Sequence, residues 1–201
     1  SDVCSSDLIR IPEGASVKNI APLFAAELPR FDEAAFIADA TPLEGYLFPD
    51  TYNFMLNATS GPVIAAMRQN FDRKEASIDT LVASSGKPLD QIVTMASIVE
   101  KEAYNTDDRR RIAGVLWNRL SIGMPLQSDV TALYDAARLG LITTPLDGKQ
   151  IAAIQHLDLP YNTYRTKGLP PGPIGNPSLD SLTAAVDPIK SACLYYVADD
   201  A

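Results

Sequence analysis

The sequence predicts an α+β fold: a mainly helical domain with short strands, preceded by part of a small α/β module. Apolar residues recur at helical spacing through most of the longer segments. The β-like runs are short and lie near the two ends. Between them, residues 159–177 form a long irregular stretch with four prolines from Leu169 onward. Runs of helices with few, non-alternating strands indicate α+β rather than a βαβ architecture.

Residues 1–8 lack periodicity and read as a disordered or artefactual lead-in. Leu8-Ile9-Arg10-Ile11 reads as a short strand. Pro12-Glu13-Gly14 is a turn signal, and Ser16 is placed to cap a helix over 16–28. A second helix is expected over 31–40, capped by Asp32. These first 40 residues are too few for a robust core, so they either represent part of a small α/β module or pack on the segments after residue 40.

The Pro- and aromatic-rich run from Thr41 to Tyr52 predicts an ordered loop or short strands. Gly61-Pro62 opens a helix expected over 62–81, and Ser84-Ser85-Gly86-Lys87-Pro88 breaks it. Further helices are expected over 89–103, 109–120, 128–138, 148–157 and 178–186. A strand is expected over 194–198. Asp107 and Asp108 lie at a helix start, where acidic groups favour the dipole.

Composition excludes several function classes. A formal net charge of -8 and a pI near 4.6 argue against nucleic acid as the main partner. Cys4 and Cys193 have no metal-ligand spacing, and His156 is the single histidine, so no metal site, cofactor or Ser-His triad is expected. No run of about 18 apolar residues occurs.

One residue stands out in the helix over 89–103. At about 3.6 residues per turn, Leu89, Ile92, Val93, Ala96, Val99 and Ala103 share a face. Glu100 falls on that face, Lys101 points away, and Glu102 lies toward the margin. An ionised carboxyl on an apolar face is costly, so the pKa of Glu100 is expected to rise, as a general acid requires. The alternative is a helix-end residue that reaches water or pairs with Arg109, Arg110 or Arg111. Glu102 reads as structural or supporting. Tyr, Asn and Gln concentrate in three loops: 44–52, 126–129 and 161–164. Such side chains suit a sugar, because rings pack on its CH faces and amides bond its hydroxyls and acetamido groups; they equally pack an irregular surface.

Five segments stand in order: Leu43-Glu44-Gly45-Tyr46-Leu47-Phe48-Pro49-Asp50-Thr51-Tyr52; Ala96-Ser97-Ile98-Val99-Glu100-Lys101-Glu102; Asn118-Arg119-Leu120 with Met124-Pro125-Leu126-Gln127-Ser128-Asp129; Tyr161-Asn162-Thr163-Tyr164; and Gly168-Leu169-Pro170-Pro171-Gly172-Pro173-Ile174. Together they resemble the MltG/YceG-like endolytic murein transglycosylases, over about residues 9–199. The resemblance implies a partial LysM-like module over 9–40 and a catalytic domain over 41–201 that continues, in the family, into a His- and Phe-containing segment. It implies a bacterial enzyme anchored upstream in the inner membrane and facing the periplasm or cell exterior. Its partners would be peptidoglycan glycan strands and peptidoglycan synthases. The first Glu of the Ile-Val-Glu-Lys-Glu segment, here Glu100, would be the catalytic acid/base. Glu44, Tyr52, Gln127, Ser128, Asp129, Asn162 and Tyr164 are the expected substrate-binding residues.

A single carboxyl group suffices for such chemistry. It protonates the glycosidic oxygen, then takes the proton of the muramic acid 6-hydroxyl, which attacks its own C1 to give a 1,6-anhydro end. Two other readings stay open at this point. One is a two-carboxylate hydrolase using Glu44 as the second group. The other is a non-catalytic peptidoglycan-binding or scaffold protein.

Overall fold

A computed structural model describes residues 6–142 and 145–196. Strand β1 (Ser6–Arg10) pairs antiparallel with β2 (Thr51–Met55), with Ile9 opposite Tyr52. Residues 6–8, expected to lie in the lead-in, therefore belong to the sheet, because their backbone pairs with residues 53–55. Residues 1–5 lie outside the described residues. Successive side chains alternate in facing: Ile9 is buried while Leu8 is largely exposed.

Helix α1 (Val17–Glu27) starts at Ser16, which makes a capping box with Asn19. Helix α2 (Glu33–Ala40) starts at Asp32, whose carboxylate accepts from the Ala35 N–H at 2.9 Å. Between them Phe24, Phe31, Phe36 and Phe54 make an aromatic cluster with centroids 5.2–6.0 Å apart. This first core runs from Ile9 through Leu47 and Tyr52 to Met67. The expected boundary at residue 40 falls inside it, because α1 and α2 bury their apolar faces against β2 and the next helix.

That helix, α3 (Ser60–Ala76), is separate from α4 (Asp79–Ser85), where one helix over 62–81 was expected. The break lies at Ser77-Ile78: Ser77 bonds back to the Lys74 carbonyl, and Ile78 turns inward at 6% exposure with non-helical ψ. Gly86, at φ 66, then ends α4 in the left-handed region.

Helix α5 (Leu89–Glu102) is the axis of the second core. Eight consecutive residues, Ile92 to Val99, are buried, so it is enclosed on more sides than its one-faced pattern indicates. It packs against α6 (Thr106–Ser121), α7 (Asp129–Arg138) and α9 (Leu179–Val186). Its buried polar groups are satisfied: the Ser97 hydroxyl donates to the Thr94 carbonyl and accepts from the Ile174 N–H, which pins the proline-rich loop to the helix. Gly45 (φ 88) lies where a Cβ would meet Pro173 at 2.5 Å, so only glycine lets the loop after α2 pass under that proline loop.

Helix α8 (Gly148–Gln155) completes a small third cluster with α7. No strand forms over Leu194–Tyr196, whereas Val197 and Ala198 lie outside the described residues. Side chains rather than a ladder hold this segment: Arg119 donates to the Leu194 carbonyl at 2.7 Å and Asn118 to those of Ser191 and Cys193.

Candidate active site

The last turn of α5 carries two carboxyl groups. At about 100° per residue, Glu100 and Glu102 project to nearly opposite sides of the helix, and they enter different environments.

Glu100 is 5% exposed and is held by three donors from elsewhere in the chain. Arg109 of α6 donates from Nη2 to Oε1 at 3.0 Å. The backbone N–H of Ser178, at the start of α9, donates to Oε2 at 2.8 Å, and the Ser178 hydroxyl donates to the same oxygen. Arg109 also bonds Asp180 and the Ser181 hydroxyl, both at 3.1 Å. Burial alone pushes the Glu100 carboxyl up, but the hydrogen bonds from Ser178, Ser181 and Arg109 outweigh it and hold the group below its usual range. The expected rise is therefore reversed. The apolar face was real, yet α6 and α9 bring donors to it. Glu100 is an ionised strut that ties together three helix ends.

Glu102 has the opposite balance. It is half-buried, and its Oε1 accepts from the Ser128 hydroxyl at 2.6 Å, with the Tyr196 hydroxyl close by. Burial raises its pKa more than these two hydroxyls and Arg119 lower it, and the charge of Asp129 adds to the rise. Beside it Asp129 accepts from a tyrosine and a glutamine. The Tyr164 hydroxyl donates to Asp129 at 2.7 Å, and Gln155 donates to the same carboxylate oxygen. Burial and the neighbouring carboxylates push the Tyr164 and Tyr196 hydroxyls well above their usual range, so both remain neutral donors.

The expected binding residues separate into three groups. Ser128, Asp129 and Tyr164 gather around Glu102, not Glu100. Gln127 precedes them with an exposed side chain at φ 50, a left-handed conformation uncommon for a non-glycine residue. Its backbone N–H bonds the Thr163 carbonyl, and the Thr163 hydroxyl accepts from the Ser128 N–H, so the 161–164 loop sets the geometry of the 126–129 loop. Asn162 is fully buried, and its amide donates to the carbonyls of Ile154, Gln155 and Leu157, closing the end of α8. Tyr52 lies in the first core, donating to the Phe48 carbonyl and accepting from Asn70. These two were expected at the substrate; both spend their polar groups inside the protein.

Among the described residues, Glu44 shares no hydrogen-bond partner with either carboxyl group of α5. Both of its oxygens accept from the Val17 N–H, at the first turn of α1, and it accepts from Asn176 at 3.1 Å and Tyr134 at 3.3 Å. Burial nevertheless pushes it up to about 7 against these donors. A folded pKa above the unfolded value means stability present at acid pH and lost as pH rises through about 7. Glu44→Gln is expected to flatten the fall in melting temperature between pH 5 and pH 8, measured by thermal denaturation across that range.

Sequence reasoning missed Tyr196, Ser178 and Asn176 as site-building residues. Asn176 bonds Ala15, Leu47 and Glu44, joining three distant segments. Only its place in the proline-rich loop signalled it.

The chain matches the YceG-like family over residues 2–201. It belongs to that family. It is 40% identical over 157 residues to the endolytic murein transglycosylase of Streptococcus pneumoniae serotype 2 (strain D39), a match that covers 78% of this chain and 28% of that protein. It is 40% identical over 162 residues to the endolytic murein transglycosylase of Bacillus subtilis (strain 168), covering 78% of this chain and 42% of that one. The chain thus spans less than half the length of these curated relatives. A YceG-like protein from Listeria monocytogenes, solved by crystallography, is similar in structure with a TM-score of 0.80 at 32% identity. That match covers 98% of this chain and 71% of that chain. Among the described residues this YceG-like chain is mostly helical with one small two-stranded sheet.

Proposed function

We propose that this YceG-like chain carries the catalytic part of a peptidoglycan lytic transglycosylase and that Glu102, rather than Glu100, is its single acid/base. The substrate class follows from relatives named endolytic murein transglycosylases. The observation that carries the residue choice is the contrast at the end of α5. Glu100 is saturated by Arg109 and Ser178, whereas Glu102 meets only hydroxyl donors and has a raised pKa.

Protonated Glu102 donates to the glycosidic oxygen linking N-acetylmuramic acid to N-acetylglucosamine, and the C–O bond breaks. The carboxylate so formed, steadied by the Ser128 and Tyr196 hydroxyls, accepts the proton of the muramic acid 6-hydroxyl. That oxygen bonds C1 and leaves a 1,6-anhydro end. The proton returns to Glu102, and no water is consumed. Neutral Tyr164, held by Asp129, stands in the loop beside the acid.

A hydrolase that uses Glu44 as second carboxylate is disfavoured, because the oxygens of Glu44 are occupied by Val17, Asn176 and Tyr134. A pure binder has no use for a half-buried acid with a raised pKa. Murein lies outside the cytoplasm, so the same proposal places the domain there, with an upstream anchor and peptidoglycan synthases as neighbours. No helix among the described residues is long and apolar enough to cross a membrane. Mass spectrometry of products from purified glycan strands tests the reaction: anhydromuramic ends are expected, and reducing ends would replace the lyase by a hydrolase.

The Ser128 contact gives a second test. Its hydroxyl stabilises the charged form of Glu102, so Ser128→Ala raises the carboxyl pKa further. The acid then stays protonated to higher pH. The alkaline limb of the pH–rate profile is expected to move up by about one unit, the worth of one hydrogen bond to a charged group. A limb that stays in place would separate Ser128 from the titrating group.

A further inference from the structure

We infer that a cleft at the opposite end of α5 is a distal subsite for a neutral N-acetylhexosamine unit of the glycan strand; this rests on the lytic transglycosylase reading above. The cleft encloses about 660 Å³ between the loop after α2, the first turns of α5, α6, α7 and the proline-rich loop. Neither Glu100 nor Glu102 lines it. Gln91, on its wall, stands eleven residues before Glu102, about 16 Å along the helix at 1.5 Å per residue. Helix α7 connects the two places. Its start holds Ser128 against Glu102, and Tyr134, about 9 Å along at the same rise, lines the cleft. A sugar here would lie a few units from the bond that is cut.

The lining is chemically mixed in the way a sugar requires. Trp117, Tyr134 and Leu169 give apolar surface. The walls at Pro170, Pro171 and Pro173 lack backbone donors and are stiff. Polar groups stand between these surfaces. Among the described residues, the hydroxyls of Tyr46 and Tyr161, the Gln91 amide and the Asp90 carboxylate make no hydrogen bond within the protein, and all four residues face the cleft. Phenol, amide and carboxylate together supply donors and acceptors for hydroxyl and acetamido groups, beside apolar surface for the CH faces.

Charge is mixed around the cleft. Asp90 lines it, Arg138 is paired with Asp135 at 2.6 Å, Glu44 is raised to about 7 with its oxygens on Val17, Asn176 and Tyr134, and Lys87 and Arg68 lie over the Trp117 and Tyr46 rings. No strong excess of either sign marks the lining, and its free phenol, amide and carboxylate groups match the hydroxyls and acetamido group of a neutral sugar. An enzyme that cuts within a strand has to hold it away from the scissile bond, and this cleft is built for that grip.

The chain has a single tryptophan, and it lines the cleft, so its emission reports occupancy. The test uses the Glu102→Gln chain, to prevent turnover, titrated with short and long oligomers of N-acetylglucosamine while Trp117 fluorescence is followed. Saturable emission changes are expected, with affinity rising with oligomer length. Gln91→Ala and Tyr161→Phe are each expected to weaken binding of the long oligomer about fivefold, the equivalent of one hydrogen bond. Unchanged emission, or long-oligomer affinities unaffected by both substitutions, overturns the subsite. Product analysis of the unsubstituted chain keeps the two readings apart. Anhydro products without a Trp117 response leave the enzyme standing and remove the cleft. A Trp117 response without products does the reverse.

Discussion

Glu102→Gln lowers product formation on glycan strands by about 10²–10⁴-fold, the usual worth of a positioned general acid, while the chain stays folded. The amide has the shape of the protonated carboxyl and still accepts from Ser128, but it carries no transferable proton. Its stability is set by the direction of the pKa shift. Glu102 is raised in the folded state, so its contribution is present below the unfolded value and is lost as pH rises through the folded one. Glutamine removes that loss. Relative to the unsubstituted chain, Glu102→Gln is therefore expected to melt at the same or a higher temperature at pH 8. Thermal denaturation beside product quantification separates the two effects. A variant that cleaves at the original rate removes Glu102 from the reaction.

The helix starts were legible because their chemistry is local. Ser16 with Asn19, and Asp32 with Ala35, act over three residues, a range the sequence displays directly. The inward direction of Glu100 was legible for the same reason, since it depends only on helical periodicity. What Glu100 meets there was legible only in part: Arg109 stood among the partners its neighbourhood offered, and it is one of them, but Ser178 did not. Ser178 lies 78 residues downstream, and nothing local tells an apolar wall from a ring of donors. That is why an inward carboxyl predicted a raised pKa and the fold delivers a lowered one. The same limit hid Glu102. Its place on the helix margin was readable, but its surroundings come from Ser128, 26 residues away, and from Tyr196 near the chain's end. Asn162 and Tyr52 show the converse. A polar residue in a motif was read as facing ligand, yet a loop that must be rigid spends such residues on its own backbone.

Glu100→Gln is expected to act on stability first. Glu100 and Arg109 are 5% and 13% exposed, so solvent screens their pairing little. Removing the charge leaves a nearly buried guanidinium with Asp180 as its remaining carboxylate and weakens the anchor between the start of α9 and the end of α5. Breaking a buried pair costs about 3–5 kcal/mol. Asp180 and the one acceptor the amide keeps reduce this to about 2–3 kcal/mol, or roughly 5–10 °C in melting temperature for a chain of this size. The sign with pH is opposite to that of Glu102. Glu100 is lowered in the folded state, so its stabilisation is present above the unfolded carboxylate pKa and is lost as pH falls through the folded one. The melting temperatures of Glu100→Gln and the unsubstituted chain should converge in acid and separate toward neutrality. Activity is expected to fall as well, because Glu102 sits on the same last turn, but part of it should return at low temperature, where the fold is regained. Arg109→Gln and the double substitution complete a mutant cycle: if the pair acts as a strut, the two single losses are far from additive. The decisive contrary result is Glu100→Gln with an unchanged melting curve and no cleavage at any temperature, since a group that carries chemistry without carrying structure is an acid and not a strut.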